Sequence, residues 1–337
     1  MENSEYNIEA IKGTSVTVRF LTDKPVKKTP YQVKGVFIKH FPDEKIIPLL
    51  DGRYRKRFLY PRVQVKVLHE QIYMIGVNEA VNTVLSFSKK VQTLDFGNIT
   101  FQVQNIETEQ HTEQFQPLDH LLKYRFITPW IALNQSTGCN YKSLNNTKKK
   151  DQLNQLLGQN LFFLAREMGV QVNQKTYTRL FLKSLYPKQL DDNNLGAFYG
   201  EFQTNFILPD YIGLGNGITR GYGTIHGLNR HSGLMIDENI ITKNLEKIDK
   251  VEINLSDPEL TPIDTEHAKK FNNKMYSIKH GKRKKLNHVK SPKSYYKKKP
   301  KKQYASNVQV QKKITDESEF NSSKYHKKQH EIGYKKS

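Results

Sequence analysis

Between residues 14 and 21 apolar side chains fall on every second position, Val16, Val18 and Phe20, which predicts a half-buried strand. From 31 to 41 the period lengthens: Val33, Val36, Phe37 and His40 share one helical face. A charged loop, Asp51-Gly52-Arg53-Tyr54-Arg55-Lys56-Arg57, breaks the pattern. Pro61 then opens a strand with Val63, Val65 and Val67 on one face and Arg62, Gln64 and Lys66 on the other. Residues 72–75 return as the second arm of a hairpin. Asn78 is placed to cap a helix carrying Val81, Val84 and Leu85, and Ile99, Phe101 and Val103 form a last strand. The order β-α-β-β-α-β is the ferredoxin-like arrangement.

The second half repeats this alphabet without repeating the sequence. Residues 124–133 read as a strand entering a loop. Residues 148–168 give the clearest helix, with Leu153, Leu156, Leu157, Leu161, Leu164 and Met168 on one stripe and Gly169 as the stop. Strands follow around 171–185 and 198–206, then a glycine-rich loop and a short strand from Tyr222. The fold class is therefore α+β: a ferredoxin-like domain over 1–110, a second over 111–232, a polar linker over 233–276 and a tail over 277–337.

Charge changes the picture most at that tail. The chain has 337 residues and a net charge of +21. Residues 277–337 hold 19 Lys and Arg against 4 Asp and Glu, a net +15, and all but one of those cations are lysines. With little apolar material to bury, the tail is expected to be disordered. It either attracts phosphate without reading sequence or simply keeps the chain soluble. One cysteine, Cys139, excludes an intrachain disulfide and a thiolate zinc cluster, suits a reducing cytoplasm, and is expected as a small buried residue. No apolar run reaches the ~18 residues of a membrane helix. The first residues, Met1-Glu2-Asn3-Ser4-Glu5, lack the basic flank and apolar stretch of a secretion signal.

The segment richest in chemistry is Tyr211-Ile212-Gly213-Leu214-Gly215-Asn216-Gly217-Ile218-Thr219-Arg220-Gly221-Tyr222-Gly223-Thr224. Its glycines allow positive φ and close approach of a ligand, so its amides could line a phosphate that Arg220 clamps. The spacing is neither a Walker A loop nor a dinucleotide fingerprint. A pair of tight turns would use the same residues. The Arg62/Gln64/Lys66 face is likewise open to two readings, an RNA-contacting sheet surface or an ordinary solvated face.

The glycine-rich segment resembles the C-terminal signature of the CRISPR-associated endoribonucleases that process precursor CRISPR RNA. Further stretches agree in order. They are Lys34-Gly35-Val36-Phe37 in the first helix, Tyr60-Pro61-Arg62-Val63-Gln64-Val65-Lys66 in a tyrosine-proline strand, Ile75-Gly76-Val77-Asn78 at the turn to the second helix, Lys123 to Asn134, and Leu157-Gly158-Gln159-Asn160. The resemblance implies two tandem ferredoxin-like domains, repeat RNA as partner, association with a CRISPR effector complex, no cofactor, no membrane, and metal-independent cleavage leaving a 2′,3′-cyclic phosphate. It assigns RNA contact to Gly213, Gly215, Gly217, Arg220, Gly221, Tyr222 and Gly223, with Arg55, Arg57, Arg62 and Lys66 as basic support.

Where that family carries a His-x-His pair, this chain has Pro48-Leu49-Leu50. The remaining candidates for proton transfer and charge stabilisation are His40, Tyr54 and Arg53. His40 also fits as a packed histidine on the apolar stripe, and the arginines as phosphate holders. His69 is expected in a solvent-facing turn. His226 and His231 lack a third metal ligand, His326 and His330 lie in the tail, and Asp191-Asp192 reads as a loop.

Lysine is a hydrated point charge without arginine's planar fork, so the tail should add affinity and no discrimination. Removing residues 277–337 is expected to weaken binding to repeat and scrambled RNA by a similar factor. It should also flatten the salt dependence, each lost phosphate contact taking about 0.7 from the log–log slope on single strands. Filter binding over a salt series with both RNAs checks this. Loss of repeat preference in the truncated protein would show that the tail reads sequence.

Overall fold

The computed structural model describes residues 12–190, 195–228, 251–253, 257 and 260–263. The first domain opens with β1 (Ser15–Thr22), whose Val16, Val18 and Phe20 are fully buried as the alternation requires. Helix α1 (Pro30–His40) starts at a Thr29/Gln32 capping box and buries Val33, Val36 and Phe37. A single turn, α2 (Ile47–Leu50), precedes the arginine-rich segment. The hairpin β2 (Val63–Leu68) and β3 (Gln71–Val77) turns at His69 and Glu70, both with positive φ and both exposed. After α3 (Val81–Ser88) come β4 (Thr93–Asp95) and β5 (Thr100–His111). The sheet order β2-β3-β1-β5-β4 contains the ferredoxin-like path, with α1 and α3 packed on the valine face.

The second domain runs β6 (Pro117–Phe126), β7 (Trp130–Leu133), α4 (Gln135–Lys142), α5 (Asn146–Glu167), β8 (Tyr177–Leu182), β9 (Lys188–Leu190), β10 (Leu195–Phe198), β11 (Gly200–Phe206) and β12 (Ile225–Gly227). Its main sheet contains the order β12-β6-β11-β8, the same path as the first domain. Helix α5 covers it through Leu153, Leu157, Leu161 and Leu164 against Tyr124, Leu180 and Phe202. Between β11 and β12, where a ferredoxin-like domain has its second helix, this chain has the glycine-rich segment. Beyond residue 232, in the stretch expected as a linker, β13 (Val251–Glu252) pairs with β6 and β14 (Thr261–Pro262) pairs with β8.

What covers the second domain in place of the missing helix is the first domain. Tyr73, Ile75 and Val77, on the face of β3 away from α1 and α3, belong to the same apolar cluster as Phe115, Met168, Leu208, Tyr211 and Ile212. The Tyr73 and Tyr211 rings lie 4.9 Å apart. The carboxyl end of α5 is also held by the first domain. Arg62 Nη2 donates to the Glu167 carbonyl at 2.6 Å and Asn78 Nδ2 to the Met168 carbonyl at 2.9 Å, satisfying acceptors a helix end leaves orphaned.

Asn78 therefore corrects an expectation. It does not cap α3, whose N-cap position is held by Ala80 with no side-chain bond. Its φ is +47°, a region asparagine tolerates, and its Oδ1 accepts from Gly13 N at 3.0 Å. Asn78→Ala removes these bonds and a longer one from Thr14 N at 3.3 Å, and takes the side-chain partner from the buried Met168 carbonyl and Gly13 amide. The expected loss of stability is about 1–3 kcal/mol, read as a lower urea midpoint.

Candidate nucleic-acid interface

The glycine-rich segment folds as a hairpin on the second domain. Gly213 bridges to Thr224, Leu214 N donates to Gly223 O at 2.9 Å, and Gly223 N donates to Pro129 O at 2.8 Å. Asn216 N and Nδ2 both donate to the Ile131 carbonyl, at 2.9 and 3.1 Å. The tip is a 3₁₀ turn, Ile218–Arg220, flanked by Gly217 and Gly221 in the left-handed region. Thr128 Oγ1 donates to Gly221 O at 2.9 Å and accepts from Thr224 N at 2.8 Å.

Two glycines are dictated by close approach. A Cβ at Gly223, where φ is +66°, would run into the Leu214 backbone. One at Gly213 would stand 2.6 Å from Ile218 Cγ2 and 3.0 Å from Lys66 Nζ. The amides of Gly213, Leu214, Asn216, Arg220, Gly221, Tyr222, Gly223 and Thr224 all donate to protein acceptors. What the hairpin shows to solvent is mainly side chains: exposed Asn216 and Thr219, and the half-buried Arg220, whose guanidinium lies 5.2 Å from the Tyr222 ring centre.

The hairpin is tied to the first domain through the polar face of β2. Tyr60 Oη donates to Gly213 O at 2.8 Å, Gln64 Nε2 donates to Tyr60 Oη at 2.9 Å, and Gly213 N donates to Gln64 Oε1 at 2.9 Å. Lys66 Nζ donates to the Ile218 carbonyl at 3.2 Å. Arg62 bonds Glu79 at 3.0 Å, and its guanidinium lies 4.6 Å from the Phe58 ring centre. Lys66 is 0 % exposed and Arg62 6 %. As RNA-contacting residues both are corrected: the second domain lies against this face, and their polar groups are spent inside the protein. Burial drives the Lys66 amine down to about 7.

The remaining candidates fall in two places. Pro30, at the start of α1, is 2.9 Å from where a Gly221 Cβ would lie, so the hairpin tip adjoins the amino end of this helix. Lys34, which sequence reasoning left without a role, lies within α1 with its ammonium 5.7 Å from the Tyr31 ring centre, and burial holds it below its usual range. His40 is at the other end of α1, about 15 Å away at 1.5 Å per residue. It is half-buried, and its charge with that of Lys39 helps hold the Asp95 carboxyl low, after the backbone bond from Gly97.

Pro48-Leu49-Leu50 lies in α2, with Leu50 in the first core. The following turn exposes Tyr54, Arg55, Lys56 and Arg57. Arg53 is less available, since its Nε meets Asp51 Oδ2 at 2.6 Å. Arg57 lies 5.2 Å from the Phe58 ring centre.

His226 Nδ1 stands 3.5 Å from Asp210 Oδ1, with its ring stacked on Tyr211. His69 is exposed, as expected. Cys139 is exposed on α4, against expectation, because α4 turns that position away from the core. Asp191, Asp192, His231, His326, His330 and the basic tail lie outside the described residues. Among the described residues no cluster of His, Cys, Asp and Glu could hold a metal ion.

Two family domains match in tandem: the Cas6b N-terminal domain over residues 11–114 and the Cas6b C-terminal domain over 116–228. An uncharacterized protein of Methanocaldococcus jannaschii, MJ0978, is 29% identical over 135 residues, 40% of this chain and 92% of its own length. Among solved structures, a crystal structure of Cas6b superposes with a TM-score of 0.52 at 24% identity, covering 64% of this chain and 98% of the other. A second, of the CRISPR RNA processing endoribonuclease Cas6b, gives 0.50 at 23% identity with the same coverage. These likenesses show the shared fold.

Lys66 makes a prediction by its titration. The unfolded chain holds this proton with the ordinary lysine pKa, near 10.5, and the folded protein only below about 7. Between those values the unfolded state binds more protons, so stability rises with pH across that window, and the cost of burying the charge is present in full below it. Lys66→Met lacks this dependence. Its stability relative to wild type should fall as pH is raised from about 6.5 to about 9.5, read as converging or crossing urea midpoints. A constant difference would show that the amine does not titrate there.

Proposed function

Because the chain belongs to the Cas6b family, with the amino- and carboxyl-terminal family domains in order across residues 11–228, we propose that it binds CRISPR repeat RNA and processes precursor CRISPR RNA. It does so in the cytoplasm and passes the product to a CRISPR effector complex. The observation that carries the reading is the site where the glycine hairpin meets α1. There a rigid turn, tied to both domains, presents Arg220 and Tyr222 beside the amino end of a helix, a setting suited to a phosphate and an adjacent ribose or base.

Binding is read first. Arg220→Ala removes a half-buried guanidinium packed beside Tyr222 and leaves the Tyr60–Gln64–Gly213 bonds in place. Affinity for the cognate repeat should drop by about 1–3 kcal/mol, measured by filter binding on protein whose melting is unchanged. Unaltered affinity would remove the hairpin from the RNA site.

For cleavage, the ribose 2′-hydroxyl attacks the adjacent phosphorus, the P–O5′ bond breaks, and the products carry a 2′,3′-cyclic phosphate and a 5′-hydroxyl. A base takes the 2′ proton and an acid delivers one to O5′. We assign those transfers to His40, at the end of α1, and Tyr54, on the exposed turn after α2, with Arg55 and Arg57 supplying charge. Proton-transfer groups of this kind are worth roughly 10²- to 10⁴-fold. His40→Ala and Tyr54→Phe, each assayed under single turnover in EDTA, should slow cleavage by at least tenfold.

A second reading, a binder that does not cut, is favoured by α2, an apolar turn with Leu50 in the core where the family resemblance expects two histidines. Cleavage by wild-type protein on its own repeat RNA separates the two readings.

A further inference from the structure

Lys66 is the most deeply enclosed charged side chain among the described residues. From the middle of β2 it reaches into the base of the glycine hairpin. Its Nζ stands 3.0 Å from where a Gly213 Cβ would lie and donates to the Ile218 carbonyl at 3.2 Å. Ile218 opens the 3₁₀ turn that carries Thr219 and Arg220, and the same carbonyl accepts from Gly221 N at 3.0 Å. Two donors therefore meet on the carbonyl that closes the turn. Gly221 adjoins Pro30 at the start of α1, and Arg220 lies beside the Tyr222 ring. The Lys66 bond thus holds, from behind, the part of the hairpin assigned to RNA.

A neutral amide or hydroxyl would satisfy that carbonyl with a smaller desolvation cost. What neither supplies is positive charge behind a surface suited to phosphate. Inside a protein such a charge acts over several ångströms with little screening.

The charge on Lys66 is also uncompensated. Burial is the one influence that moves its amine, down to about 7. The charged and titratable groups on the elements around it are Tyr60 and Arg62 in its own segment, Tyr73 opposite it on β3, and Arg19, which donates to Tyr73. On the hairpin side they are Arg220 on the turn, Lys34 on the bordering helix α1, and Asp210 with His226 against the Tyr211 ring. Burial pushes the Tyr60 and Tyr73 hydroxyls up, so both stay neutral. The Asp210 carboxylate accepts from Gly227 N at 2.6 Å and faces His226.

We propose that Lys66 is a positioning residue of the RNA site that touches no RNA: it holds the Arg220 turn through the Ile218 carbonyl, and RNA binding is coupled to the proton on its amine. This rests on the RNA-binding reading above and adds a buried proton to that site.

Linkage fixes the sign. A phosphate held at the turn favours the protonated amine, so RNA raises the pH at which Lys66 releases its proton, and the protonated protein binds RNA more tightly. Affinity is therefore highest below about pH 7. It falls above that value, where binding takes up a proton, and levels off once the complex is deprotonated as well. Each pH unit of that interval is worth up to about tenfold in affinity.

The test is filter binding of the repeat RNA, without terminal phosphates, to full-length wild-type protein and Lys66→Met at constant ionic strength. Between about pH 6 and about pH 9 wild-type affinity should fall roughly three- to thirtyfold more than that of the variant, which retains every histidine. Wild-type protein labelled with ¹³C at lysine Cε reads the proton directly and does not depend on the variant folding. One amine should titrate near 7 in the free protein and at higher pH in the complex, with Lys34→Met separating the other lysine that burial holds low. Parallel pH profiles for wild type and Lys66→Met show a purely structural role and overturn the proposal. So does an amine whose titration stays in place when RNA is added. Wild-type protein that binds no repeat RNA at any pH marks the failure of the RNA-binding reading, and this proposal falls with it.

Discussion

A closed set of buried hydrogen bonds, Tyr60 to Gly213, Gln64 to Tyr60 and Gly213 to Gln64, organises the functional part of this molecule. Each partner is withdrawn from water, so each bond left unmade would cost a desolvated donor or acceptor. A purely apolar contact between β2 and the hairpin would tolerate sliding. This cycle does not, because both polar atoms of the Gly213 backbone are claimed by side chains from the other domain. The position of Arg220 and Tyr222 relative to α1 follows from it. Lys66 reinforces the same contact at Ile218, at the cost of burying an amine that loses its proton readily.

The cycle matters because the second ferredoxin-like unit is incomplete. It has one long helix over its sheet and a glycine hairpin in place of the second. The apolar surface this exposes is covered by Tyr73, Ile75 and Val77 of the first domain, and α5 ends on acceptors satisfied by Arg62 and Asn78. Glu167 reciprocates by accepting from the Leu59 and Tyr60 amides at 3.1 Å each. The second unit therefore completes neither its core nor the carboxyl end of α5 without the first. Most of the polar residues that look available in the first domain's hairpin are engaged in joining it to the second.

This explains what was and was not legible in the chain. Period-two valines in β1 and β2 and the leucine stripe of α5 are local signals, and those elements formed within a few residues of expectation. The Arg62/Gln64/Lys66 face was open to misreading because alternation reports that one face differs from the other. It does not report whether the polar face meets water or a second protein surface. Asn78 misled for a related reason: an asparagine before a helix has two uses, and the partner at Met168 is ninety residues away. The glycines announced a tight backbone correctly, and their dense mutual bonding is visible only once Thr128 and Pro129 are seen beside them.

The arrangement also separates two tasks along α1. Its amino end meets the hairpin at Gly221. Its carboxyl end carries His40, close enough to Asp95 to act on its carboxyl, about 15 Å further along the helix. On the proposed reading, an RNA held at the hairpin runs beside α1 before its backbone reaches His40. On that reading, binding strength and cleavage are set by different residues of the same helix neighbourhood. On that reading the apolar turn Pro48-Leu49-Leu50, where the family resemblance expects histidines, bears only on the second. In such a geometry a chain can keep a fully formed RNA site while its chemistry rests on whatever His40 and the Tyr54 turn supply.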